Sequence, residues 1–178
     1  MTFPVFASGD VLNASDMNGV GLWLVKSQAV GSGVASVTVT GAFSSDYDNY
    51  RIVYGGGTGS TNITLSLKLG ASTTGYYSIV NYASYAASTT PLAAGDNNAG
   101  QWTYAGYAGA NFTQVSLDLI NPNKAQWTTY NCASWAGTTI AGTSSGTHQV
   151  ATAYTDFVLG VNTGTLTGGT IRVYGYRN

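Results

Sequence analysis

The sequence predicts an all-β fold, an antiparallel sandwich of jelly-roll type, and three observations predict it. Apolar residues recur at every second position, the period of a half-buried strand. Tyr50, Ile52 and Tyr54 share one face, as do Ile63, Leu65, Leu67 and Leu69; Val115, Leu117 and Leu119; Phe157, Leu159 and Val161; and Ile171 and Val173. Turn-forming clusters separate these runs at Gly55–Ser60, Gly70–Gly75, Asn121–Asn123 around Pro122, Gly142–Gly146 and Gly164–Gly169. Only 7% of the residues are charged and none is Glu, which argues against amphipathic surface helices, since those draw on Glu and Lys. Eight or more strands at this spacing imply an antiparallel sandwich or jelly roll.

Taken in order, the first element departs from the strand pattern. Asn13 is placed to cap a helix, with Asp16 three residues on, an arrangement related to the capping box. One short helix near residues 13–18 is expected, and Gly19 and Gly21 stop it. Such a helix is too short to stand alone in water, so docking must order it. Phe3, Val5, Phe6, Val11, Leu12 and Met17 form an apolar set with no length of chain to make a core of their own. The organisation expected is therefore a docking segment over residues 1–21 and one β-sandwich over residues 22–178. No linker, charge block or repeat marks a second globular domain.

Ahead of the first strongly alternating run, Asp46, Asp48 and Asn49 resemble half of a calcium loop, but the further oxygen ligands such a loop needs do not follow. A turn before Tyr50 accounts for them. The stretch from Tyr76 to Ala110 is the most biased part of the chain. Its Tyr, Ser, Gly and Asn mixture has the chemistry of binding loops, where rings supply contact area at low entropic cost and small polar residues adapt. Tyr82, Tyr85, Trp102, Tyr104 and Tyr107 are candidates to stack on sugar rings, with Asn81, Asp96, Asn97 and Asn98 holding hydroxyls. The alternative is that these aromatics pack inside the sandwich or between subunits.

Composition excludes several function classes. A chain of 178 residues suits one core, and 44% hydrophobic content with thirteen Tyr and four Trp sets it apart from disordered Gly/Ser-rich chains. A net charge of −1 with six scattered basic residues offers no footprint for a phosphate backbone, so no nucleic-acid partner is expected. Cys132 and His148 are the only residues of their kinds, which leaves no disulfide and no zinc set; no metal and no cofactor is expected. There is no long apolar run, and the N-terminus lacks the basic and apolar regions of a signal peptide, so neither membrane insertion nor classical secretion is expected. Glycoside hydrolysis needs a matched carboxylate pair. Of the seven Asp, Asp118 and Asp156 lie in strands, Asp118 opposite the Leu face. His148 reads as a strand-edge residue beside a Gly146 turn, with no nucleophile elbow to serve. The chain is not expected to be an enzyme.

Three segments carry a family resemblance. Phe6 to Asn18, FASGDVLNASDMN, is similar to the opening of many bacteriophage minor tail and tail fibre proteins; Asp46 to Tyr54, DYDNYRIVY, and Gly169 to Asn178, GTIRVYGYRN, resemble strands of their jelly-roll modules. The resemblance implies a virion structural protein, assembled in the host cytoplasm and located on the tail or particle surface. Its N-terminal segment would dock to other virion proteins, and a C-terminal module would contact a host-surface glycan. It also implies a homotrimer, which fits lightly charged strands rich in Tyr and Trp. A capsid decoration or head-fibre protein and a free carbohydrate-binding lectin are the alternatives, since one fold serves all three.

Overall fold

The computed structural model describes residues 8–9, 21–86 and 89–176. The helix expected at residues 13–18 and the apolar set Phe3, Val5, Phe6, Val11, Leu12 and Met17 lie outside them. The described residues contain no helix and twelve strands: β1 (Leu22–Ala29), β2 (Ser36–Val39), β3 (Asn49–Gly59), β4 (Ile63–Leu69), β5 (Tyr76–Ser84), β6 (Pro91–Ala99), β7 (Trp102–Gly109), β8 (Phe112–Ile120), β9 (Thr128–Ala136), β10 (Ile140–His148), β11 (Phe157–Val161) and β12 (Leu166–Tyr176). Every strand pairing among them is antiparallel.

The order of pairing gives the architecture. One row runs β2-β11-β4-β7, and a second runs β1-β12-β3-β8 and continues through β9-β10-β5-β6. Without the last four strands, two four-stranded rows remain in which successive strands alternate between layers except at β4 and β7, which are neighbours in one row, the wrapping of a jelly roll. The hairpin β5–β6 is inserted between β4 and β7, and the hairpin β9–β10 between β8 and β11. The two hairpins join each other along the full length of β10 and β5, from Ile140 opposite Ser84 to His148 opposite Tyr76. Together they widen one sheet of the sandwich. Strand β8 connects the layers, pairing with β7 through Phe112–Gln114 and with β3 and β9 through its later residues.

The alternation that predicts the strands also builds the core. Ile52 sits between Leu117 and Val173 across the larger sheet, and Leu67 lies opposite Leu159 in the smaller one; all five are buried. Burying each such side chain contributes roughly 1.5–3 kcal/mol. Tyr50 and Tyr54 are buried with them because their hydroxyls find partners: Tyr50 donates to the Ser44 carbonyl at 2.8 Å, and Tyr54 donates to the Gly168 carbonyl at 2.9 Å.

Three expected turns are strands. Gly55–Gly59 belongs to β3, Gly142–Gly146 lies inside β10, and β12 begins at Leu166 within the Gly164–Gly169 cluster. In β10 the glycines make room for neighbouring strands. A Cβ at Gly142 would run into the Asn81 carbonyl oxygen, and one at Gly146 would come within 2.8 Å of the Tyr130 ring. Glycine in a strand often marks such a close approach. His148 is correspondingly no edge residue beside a turn, but a buried one at the end of β10.

Candidate functional site

The stretch from Tyr76 to Ala110, expected to resemble binding loops, forms β5, β6 and β7. Strand alternation therefore decides which of its side chains face outward. Trp102, at the start of β7, is fully buried. Its ring meets Tyr76 edge-on at 5.2 Å and Tyr130 at 4.7 Å, and its Nε1 donates to the Thr147 carbonyl at 3.2 Å. Trp102 thus offers no face to a sugar and is corrected to a core residue: β7 lies beneath the added hairpins, and its first ring points into the layer between.

The polar candidates divide in the same way. Asp96 accepts from Ser78 Oγ at 2.5 Å and from the Thr103 backbone N–H at 2.8 Å, and its other oxygen accepts from Thr103 Oγ1 at 2.7 Å. It clamps β6 to β5 and β7. Asn98 holds a left-handed φ of 52° and accepts from the Gly75 N–H at 2.9 Å, fixing the entry to β5. Asn97 and Asn81 are exposed.

Three candidate rings converge on a residue outside that stretch. Tyr82 of β5 and Tyr104 and Tyr107 of β7 surround Trp135 of β9, with ring centroids 5.4, 6.1 and 5.2 Å from it. Tyr107 also stacks parallel to Phe112 at 6.3 Å. Trp135 is buried, while the three tyrosines are half-buried and keep part of each ring open to solvent. Gly137 makes room for the group, since a Cβ there would come within 2.9 Å of the Tyr107 ring. Just past β5, Tyr85 is 64% exposed; it donates to the Thr138 carbonyl at 2.6 Å, and its amide donates to the Thr139 carbonyl at 3.0 Å. The structure therefore brings Tyr82, Tyr85, Tyr104 and Tyr107 to one end of the added strands and leaves Trp102, Asn97 and Asn98 outside the cluster.

Burial raises the pKa of the Tyr104 hydroxyl, with nearby Asp96 adding to the effect, so this ring is neutral across the working range. The cluster is apolar and uncharged with hydroxyl tips, the chemistry that suits a polyhydroxyl ligand presenting C–H faces. Trp135 was the residue that sequence reasoning missed. An irregularity in the β9–β10 register, between Gly142 and Ser144, breaks the simple alternation after Tyr130 and Cys132 and places Trp135 opposite Gly142.

Of the two carboxylates expected in strands, Asp118 lies in β8 and Asp156 just before β11, outside any strand, and both have structural partners. Asp118 accepts from the Tyr176 hydroxyl and lies 3.7 Å from Arg51 on the outer face, and Asp156 accepts from the Gly41 N–H at 2.8 Å. His148 Nε2 shares a 2.7 Å hydrogen bond with the Tyr154 hydroxyl, and burial lowers its pKa below the usual histidine range. Among the described residues, no group of three or more His, Cys, Asp or Glu is placed to hold a metal, and no helix is long and apolar enough to cross a membrane.

Fold and cluster together define a jelly-roll sandwich carrying a four-stranded, aromatic-lined extension. No family model matches the chain, and no curated protein matches it. A solved structure titled "CBM4 structure and function" is similar at 14% identity over 80% of this chain and 82% of that one, with a TM-score of 0.24. That score is below the level at which two folds are shared, so architecture and site rest on this chain's own geometry.

Proposed function

We propose that this protein is a structural component of a bacteriophage particle, of the tail fibre or minor tail type, whose β-module binds a neutral glycan on the host surface. The observation that carries the binding reading is the convergence of Tyr82, Tyr104 and Tyr107 on Trp135, with Tyr85 at the rim. A jelly roll does not need the hairpins that bring Tyr82 and Trp135 to the rings of β7, so the extension has a use other than closing the sandwich. The phage assignment rests on the three sequence segments that resemble tail proteins.

In this reading the sugar's C–H face lies on exposed tyrosine edges, while their hydroxyls and nearby backbone carbonyls take its polar groups. One such contact is weak, and a homotrimer repeats it, so avidity supplies the attachment. The exposed Leu22, Trp23, Leu24, Ile120 and Trp127 supply apolar surface for neighbouring copies to cover. Residues 1–21 dock the module to other virion proteins.

Binding of the purified protein to host-surface polysaccharide tests the reading. Tyr82→Ala or Tyr107→Ala should weaken it about tenfold per ring, corresponding to ~1.4 kcal/mol, and added salt should change it little because no cation clamp is involved. Stable variants that bind as well as the parent would move the assignment to a capsid decoration protein. Deleting residues 1–18 should leave a folded module that no longer joins particles; normal incorporation would remove the docking role.

A further inference from the structure

We propose a second neutral-sugar site on the outer face of the extension, back to back with the aromatic cluster across β5. Alternation turns Tyr82 inward and Tyr77, Ile79 and Asn81 outward. The register then sets Thr147 beside Tyr77, Ser145 beside Ile79 and Thr143 beside Asn81, while on the other flank Ile79 faces Gly95, which adds no side chain. The result is an open depression of about 500 Å³ lined by Tyr77, Ile79, Asn81, Asp96, Ser145 and Thr147, a volume within the range of small-ligand sites.

Its chemistry points to an uncharged polyhydroxyl ligand. Tyr77 and Ile79 supply apolar walls. The side chains of Asn81 and Ser145 are exposed and line the depression, so an amide with both donor and acceptor and a hydroxyl are open to a ligand there. Asp96 is already engaged by Ser78 and Thr103 and does not act as a free anion there. No Lys or Arg lines the space, so there is no clamp for phosphate or carboxylate. The basic and paired charged groups of this sheet face, Arg51, Asp118 and Arg172, sit on β3, β8 and β12, two or more strands away.

The inference shares its ligand class with the cluster reading but uses none of that cluster's rings. Two sites on opposite faces of β5 would let a single module touch two polysaccharide chains, or two points of one. The experiment is a nuclear magnetic resonance titration of the full chain with neutral mono- and disaccharides of glucose, galactose, mannose and N-acetylglucosamine. Saturable shifts of the Asn81 side-chain amide and of the Tyr77 and Ser145 backbone amides are expected with at least one sugar. Asn81→Ala and Ser145→Ala, both at exposed positions, should each weaken that response about tenfold, while Tyr107→Ala should leave it unchanged. Saturable shifts at Tyr82, Tyr104 and Tyr107 without any at Asn81 would overturn the outer site and keep the cluster reading. Shifts at Asn81 alone would keep the outer site and remove the cluster reading. No saturable shift anywhere, or outer-face shifts that survive both substitutions, would also overturn it.

Discussion

The eight jelly-roll strands and the four strands added at their flank bury comparable faces with different side chains. Between β3, β8, β12 and β4, β11 the interior is mostly aliphatic, with Ile52, Leu65, Leu67, Leu117, Leu119, Leu159, Ile171 and Val173 fully or almost fully buried. Beneath β5, β9 and β10 it is mostly aromatic and polar: Tyr76, Tyr130, Trp135 and His148 are buried there, together with Ser78, Thr128 and Ser144, and only Val80 and Cys132 join them as other apolar side chains of these strands among the described residues. All three buried side-chain atoms that lack a partner among the described residues, Thr128 Oγ1, Trp135 Nε1 and His148 Nδ1, lie in the added strands. Aliphatic packing is non-directional and tolerates small shifts. An aromatic and polar interior holds only when each donor is satisfied, and an unsatisfied one costs about 1–3 kcal/mol. The jelly roll is thus the stable half, and the extension the half where stability gives way to surface chemistry.

The strongest way to break this contrast is to cut at the seam. Trp102 stands on a jelly-roll strand but packs on Tyr76 and Tyr130 of the extension, so Trp102→Ala should cost about 3–5 kcal/mol in denaturant unfolding. Hydrogen exchange should show β5 and β10 opening well before β3 and β12 in that variant. Uniform loss of protection in all four strands would mean that the halves are one cooperative unit.

Acid should sharpen the contrast next. Because burial lowers the folded-state pKa of His148, the unfolded chain takes up a proton near pH 6.5 while the folded chain resists it. Stability is then complete above that pH and falls as the pH drops below it, with a slope approaching about 1.4 kcal/mol per pH unit for one such group. His148→Phe should remove this slope. An unchanged pH profile in the variant would assign the acid sensitivity to other groups.

The smallest effect expected is a gain. Thr128→Val removes a buried hydroxyl without a partner and keeps the shape, so thermal unfolding should show stability unchanged or raised by up to about 1 kcal/mol. A clear loss would show that the hydroxyl has a partner the contrast overlooks.

This difference also explains what could be read from the sequence. The jelly-roll strands were legible because aliphatic residues at every second position leave a period-two trace. Strand β10, IAGTSSGTH, leaves none: its inward positions are Ile140, Gly142, Ser144, Gly146 and His148, the middle three kept small where Tyr82 and Tyr130 fill the space. Small residues that make way for a neighbour's ring look like turn formers when the neighbour is out of view. The candidate site was half legible for the same reason. Composition pointed to Tyr82, Tyr104 and Tyr107, but not to the side on which Trp102 would fall, nor to Trp135, which lies well beyond them in sequence and is brought in by non-local pairing.

One feature of the fold sets how the module carries load. Strands β1 and β12 run antiparallel, with Leu22 beside Tyr176, so the chain enters and leaves the sandwich at one corner. Tension applied between those two points would peel the strands apart one rung at a time, as a zipper opens, without loading the ladder in parallel. Held from the Leu22 side alone and pulled through a ligand on the far hairpins, the same sandwich would carry force across its sheets, and the weak corner would stay out of the line of strain.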